Sequence, residues 1–184
     1  MATALLLAAC TLTSACTSTE SRTDEAPEKT PTAVAKPSSQ PPADPTETAK
    51  AEAVETYRQY WQAMERLYAD PNGKDTSVKQ YAAAAALLNA EKDAKSAHSR
   101  KLIHTGEVSV LNPTVTSYDI NRKIPNVAIS SCLDISRWQV VHADSKEPAA
   151  LPTTRLTKYV IVSTVERWPE GWRVIRDEPQ GKQC

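Results

Sequence analysis

Residues 54–73 read VETYRQYWQAMERLYADPNG, and no other stretch says as much about the architecture. Val54, Tyr57, Trp61, Met64 and Tyr68 recur at three- and four-residue steps, which gathers apolar side chains on one face of an α-helix. Asp70-Pro71-Asn72-Gly73 supplies the breakers that stop it. Periodicity starts at Ala51. Beyond the breakers, Thr76 or Ser77 can cap a second helical stretch, with helix-forming residues from Tyr81 to Leu88. A third stretch is expected to run through residues 91–101, with Leu87, Ala90, Ala94, Ala97 and Lys101 on a small-residue stripe and Gly106 as its terminator.

After Gly106 the pattern becomes that of strands. Val108, Val110 and Val115 lead to Tyr118, and Asn112-Pro113 bends the run. NVAISSCLDI (126–135) and RWQVVHA (137–143) follow as further strands, then a surface turn at 144–148. A long strand from Leu156 to Trp168 turns at Pro169-Glu170-Gly171 into a last strand beginning at Trp172. Helices first and strands second give an α+β fold, with N-terminal helices packed against a curved antiparallel sheet.

The opposite end is a different kind of polymer. There is no Phe, and all ten aromatics, four Trp and six Tyr, fall at or after Tyr57. Residues 17–50 carry six of the thirteen prolines among Ser, Thr, Glu and Lys, too little apolar surface to offset ordering entropy, so this part is expected to be a disordered, semi-stiff tether. Residues 1–15, MATALLLAACTLTSA, are uncharged and apolar from Ala4 to Cys10, too short to span a bilayer and ending in small residues as a secretory signal does. The expected organisation is a signal segment at 1–15, a tether at 16–50 and a folded domain at 51–184.

The first fifteen residues resemble a bacterial lipoprotein signal, which ends in a small-residue box before a lipid-bearing cysteine. Cys10 and Cys16 both follow such a box, and the usual positive start is missing. Cleavage before Cys16 removes Cys10 and leaves Cys132 and Cys184 as an even pair for a disulfide in an oxidising compartment. Cys16 is therefore the expected lipid anchor, placing the domain on the extracytoplasmic face of the cell membrane. Two or more acyl chains hold a protein there firmly.

The aromatic helix quoted above, together with YVIVSTVERWPEGWRVIRDE (159–178), resembles the cone-shaped α+β fold of the nuclear transport factor 2-like superfamily. It is similar to a group of secreted or lipid-anchored actinobacterial proteins with a Cys-Leu-Asp strand, here Cys132-Leu133-Asp134, and a cysteine near the chain end, here Cys184. The resemblance covers residues 51–184 and implies a cone interior, which some members use as an enzyme pocket and others as a binding or assembly surface. It does not choose between them.

No residue is singled out as catalytic. Joining Cys132 to Cys184 would close a loop of about fifty residues, worth about 2–4 kcal/mol. His98 and His104 are expected on different faces of one helix, and His142 sits on a strand without an assignable partner. Tyr57, Tyr60, Trp61, Trp138, His142, Trp168 and Trp172 are the candidates for a pocket or recognition surface. Tyr60 is placed off the main helical face, and Trp168 with Trp172 flanks the last turn as an aromatic edge. Twenty-two basic residues balance twenty-two acidic ones, so no nucleic-acid footprint is present. Neither a cofactor nor a metal is implied. The expected partners are the membrane through the N-terminal lipid, and an envelope protein or a small apolar ligand. The leading expectation is a noncatalytic binding or assembly domain. A small-molecule enzyme of the ketosteroid isomerase or dehydratase type is the alternative.

Overall fold

The structure is a computed structural model and describes residues 44–184. The signal segment, Cys10, Cys16 and most of the tether lie outside the described residues. Helix α1 (Pro45–Ala69) starts earlier than its apolar periodicity: Asp44 caps it by accepting the Thr46 N–H at 2.8 Å, Pro45 occupies the first turn, and Glu47 follows there. Residues 45–50, read as the end of the tether, are thus helical. At the other end Asp70 accepts the backbone N–H groups of Asn72, Lys74 and Asp75, which folds the loop that leaves the helix.

A 3-10 turn (Ser77–Gln80) precedes α2 (Ala84–Ser99), and Thr76 makes no side-chain cap bond. Helix α2 buries Ala86, Ala90, Ala94 and Ala97, a methyl stripe that allows close packing with little side-chain entropy lost. The helix ends well before Gly106. Residues 102–105 form strand β1 (Leu102–Thr105), so His104 is on a strand and not on the helix that carries His98. Gly106 does not terminate a helix but permits a close backbone approach. Its φ is +89°, and a Cβ there would come within 1.9 Å of the Arg137 carbonyl oxygen.

The remaining strands are β2 (Ser109–Asp119), β3 (Asn126–Asp134), β4 (Gln139–His142), β5 (Lys158–Trp168) and β6 (Gly171–Gln183). Strands β2, β3, β5 and β6 form one antiparallel sheet in that order; β1 and β4 pair separately. Asn112-Pro113 does interrupt pairing, as a register shift between Leu111 and Thr114. The edge of β6 is partly covered where Ala83 N–H donates to Val174 O and Val174 N–H donates to Tyr81 O. Curving around α1, the sheet gives a cone with N-terminal helices on its inner side. Val127, Ile129 and Leu133 of β3, with Ile161 and Val165 of β5, meet Tyr57, Tyr60, Trp61 and Met64 of α1 in one core.

Cys132 and Cys184 are joined by a disulfide with Cα atoms 5.8 Å apart. Strand β3 alternates, burying Ser131 and Leu133 while Cys132 between them is half-buried. The bond therefore lies on the sheet face away from α1 and ties the chain end to a strand two positions away. Closing so long a loop removes unfolded-chain entropy worth about 2–4 kcal/mol.

Candidate functional site

Inside the cone a polar line crosses the sheet. The Tyr57 hydroxyl hydrogen-bonds Ser131 Oγ at 3.0 Å, and Ser163 Oγ–H donates to Asp177 Oδ1. Ser163 is directly paired with Asp177 across β5 and β6. What turns Asp177 inward is a bulge: Val165 pairs with Val174 but Thr164 with Arg176, leaving Ile175 as an extra residue. Strand alternation shifts by one there, so Trp172 and Val174 are buried, Arg176 is exposed and Asp177 faces the core side.

The cost is electrostatic. Asp177 as a residue is only half-buried, but its carboxyl is enclosed, and burial pushes it up to about 7 against Ser163's stabilising hydrogen bond. Burial, followed by the nearby Asp177 charge, also raises the phenols of Tyr57, Tyr60 and Tyr159. All three hydroxyls stay protonated at neutral pH. The arrangement can offer a carboxyl proton and phenolic donors, or simply knit the sheet to α1.

At the other end of α1 lies an aromatic cluster. Tyr68 packs edge-on against His104 and Trp138, with ring centroids 4.8 and 5.2 Å apart. Trp138 stacks on His104 at 4.4 Å and meets Trp61 edge-on at 6.4 Å. Burial, then the positive charge of Arg155, lowers the His104 imidazole to about 4, so the ring is neutral.

The aromatic residues singled out from the sequence divide. Tyr57 and Trp61 are core, and so is Tyr60, which is 2% exposed and not on a groove. The buried face of α1 is wider than the three-four ladder, because the sheet, the 3-10 turn, α2 and β1 all contact the helix. Trp172 does not form an exposed edge: it is buried and its indole N–H donates to Glu52 of α1 at 3.0 Å. Trp168 alone projects at that hairpin, 37% exposed, bonded to Glu166. Trp138 belongs to the aromatic cluster. His142 is exposed on β4 opposite Leu102, and none of the described side chains is hydrogen-bonded to it. No group of three or more His, Cys, Asp or Glu gathers in metal-binding geometry among the described residues.

Sequence reasoning did not find Asp177, His104 as a cluster member, or Arg155. Open grooves lie on the outside. One of about 480 Å³ runs between the 71–76 loop and α2, lined by Leu67, Lys79, Glu91 and His98 among others. Another of about 550 Å³ lies between α1 and the β5–β6 hairpin, walled by Glu52, Glu55, Arg167 and Trp172.

No family model matches the sequence, and no curated protein does either. Solved structures are similar in fold. The chain is similar to the intermembrane space region of the chloroplast protein ARC6, with a TM-score of 0.50 and 11% identity over 71% of this chain and 95% of that one. A nuclear transport factor 2-like superfamily protein from Salmonella enterica gives a TM-score of 0.48 at 15% identity, over 76% of this chain and 94% of the other. At such identities the likeness concerns fold alone, a cone-like α+β architecture with N-terminal helices packed against a curved antiparallel sheet.

Proposed function

We propose that the chain is a noncatalytic binding or assembly domain, displayed outside the cytoplasm and anchored to the cell membrane by lipid on Cys16. The observation that carries the binding reading is the filled cone: Tyr57, Tyr60, Trp61 and Met64 occupy its interior, so recognition falls to the outer surfaces. Support for the location comes from cysteine accounting. The disulfide consumes Cys132 and Cys184, and such a bond persists in oxidising compartments. Removal of residues 1–15 then leaves Cys16 as the one remaining thiol, beside the small-residue box Thr13-Ser14-Ala15. Intact-mass measurement of membrane-extracted protein tests this, with loss of residues 1–15 and a diacylglycerol addition on Cys16 as the expected result. An unprocessed N-terminus would end the anchored reading. For the assembly role, an envelope protein should co-purify from detergent-solubilised membranes in stoichiometric amount.

One observation favours the second reading, a small-molecule envelope enzyme: the enclosed Asp177 carboxyl, held up to about 7 beside Tyr57, Tyr60 and Tyr159. A proton-holding acid among phenols is the kind of pair that general acid–base chemistry uses. That reading requires the interior to open for a substrate. Soaking crystals with small apolar ketones and finding density against Asp177 would establish it.

A further inference from the structure

Two large apolar side chains project together at one end of the main sheet. Trp168 closes β5 and is exposed, and Ile124, 42% exposed, lies in the loop between β2 and β3. The backbone holds the two segments side by side: Asn126 pairs with Glu166, and the Arg167 N–H donates to Pro125 O at 2.9 Å, so Ile124 and Trp168 come next along the same pair of strands. Around them stand Arg122, Lys123 and Arg167, all exposed and none ion-paired among the described residues. The acidic groups nearby are mostly engaged. Glu166 accepts the Trp168 indole N–H, Asp119 accepts the Asn121 N–H and Glu52 accepts the Trp172 indole N–H, while Glu170 stays exposed in the turn.

The chain enters the domain at this same end. Helix α1 runs antiparallel to β2: late in the helix Glu65 accepts the Val108 N–H, whereas Lys50, early in it, lies 3.9 Å from the centre of the Tyr118 ring. The Glu52–Trp172 bond ties the early part of α1 to the β5–β6 hairpin as well. Residues 1–43 therefore join the domain, at Asp44, on the side that carries Ile124 and Trp168. A domain held to a membrane through its N-terminal residues would present that end to the lipid. Tryptophan is favoured at a membrane–water interface, an aliphatic side chain enters the acyl boundary, and Arg and Lys reach the phosphates around them. A tip this small binds a bilayer weakly from free solution and suffices where the chain is already held close to it.

We propose that the tip formed by the β2–β3 loop and the β5–β6 turn docks on an anionic lipid surface, with Trp168 and Ile124 entering the interface and Arg122, Lys123 and Arg167 meeting lipid phosphates. This rests on reading the chain as membrane-held, and adds that the folded domain itself touches the bilayer in one orientation. The opposite end of the sheet, about 30 Å away along the 11 residues of β5, is then turned outward.

Vesicles of phosphatidylcholine with about 25% phosphatidylglycerol, carrying nitroxide-labelled acyl chains, are titrated into the full chain with Cys16→Ser, and tryptophan emission is followed. Trp61, Trp138 and Trp172 are buried, so quenching by the label reports Trp168. Saturable quenching is expected, absent in Trp168→Phe, weakened by about ten-fold or more when Arg122→Gln and Lys123→Gln are combined, and weakened by added salt. Ile124→Ser should also weaken it, whereas Leu151→Ser, at a similarly exposed position toward the opposite end of the sheet, should not. Each substituted position is exposed, so the variants should melt as the parent does. Vesicles that sediment with the chain while Trp168 stays unquenched, quenching undiminished by the two glutamines, or a loss in Leu151→Ser as large as in Ile124→Ser would each overturn the proposal. Lipid found on Cys16 of a chain whose Trp168 stays unquenched ends the docking alone. Quenching in a chain whose N-terminus is never lipidated ends the anchored reading and leaves the tip as a lipid-binding surface.

Discussion

Asp177 and His104 pull the pH dependence of stability in opposite directions, and single substitutions should separate them. The Asp177 carboxyl is held at about 7 in the folded chain against 3.8 in an unfolded one. Between those values the native state binds the extra proton, so stability is full below about 4 and falls as pH rises toward 7. His104 runs the other way: about 4 when folded against 6.5 unfolded, so the unfolded chain holds the extra proton and stability falls as pH drops from about 6.5 to 4. At about 1.4 kcal/mol per pH unit, and discounting both for their contact with water, Asp177 contributes about 2–4 kcal/mol over its window and His104 about 1–3. The two slopes nearly cancel between pH 4 and 6.5, so the parent protein should look indifferent to pH there.

Asp177→Asn keeps the shape and the acceptor for Ser163 while removing the charge. It should match the parent near pH 4 and exceed it by about 2–4 kcal/mol at pH 8. His104→Gln costs packing against Tyr68 and Trp138 at every pH, but its deficit should shrink by about 1–3 kcal/mol as pH falls from 7 to 4. Urea unfolding followed by tryptophan fluorescence at half-unit pH steps gives both curves. If the Asp177→Asn difference were the same at pH 4.5 and pH 8 to within about 0.5 kcal/mol, the carboxyl would not be enclosed as described, and the enzyme reading would lose its one support.

Gly106→Ala should cost about 3–5 kcal/mol, read by thermal or urea unfolding, because the added methyl meets the Arg137 carbonyl and the backbone is left-handed there. Gly181→Ala makes the control: its φ is +63°, but the space around it is open, so its cost should be about 1 kcal/mol. Reducing the disulfide, or replacing both cysteines by serine, should lower stability by about 2–4 kcal/mol without altering the far-ultraviolet circular dichroism of the folded state. Tyr57→Phe removes one hydrogen bond and leaves the Ser131 hydroxyl buried, a loss of about 1–2 kcal/mol. Tyr57→Ala, which opens a cavity at the centre of the core, should cost about 3–5 kcal/mol.

Much of the frame is visible in the residues, and the failures have physical causes. The face of α1 is written in its three-four spacing, and the alternation NVAISSCLDI becomes a strand that buries every second side chain. The start of α1 was hidden because Asp44-Pro45-Thr46-Glu47 lies in a proline-rich stretch whose composition argues for tether, although those four residues are a capping sequence. Strand β1 was hidden because four residues between helix formers and a glycine become a strand only by pairing with β4 from a distance. Asp177 was hidden by the bulge at Ile175: plain alternation from Trp172 puts Arg176 inside and Asp177 out. Local pattern carries periodicity. It does not carry where one extra residue will be absorbed.

The absence of phenylalanine has a consequence that links composition to site. Every aromatic side chain in this chain brings a polar atom with it, so each one that is buried needs a partner as well as a space. Where the fold had to bury such a ring for stability alone, it supplied that partner: Ser131 for Tyr57, Glu52 for Trp172. Trp138 is buried to the same degree and received none among the described residues, and its ring lies in one patch with Trp61, Tyr68 and His104. Phe at position 138 would avoid desolvating an indole N–H. The return on the indole is its area: the Trp138 ring meets Trp61, Tyr68 and His104 at once, more neighbours than a single phenyl ring would reach from the same backbone position.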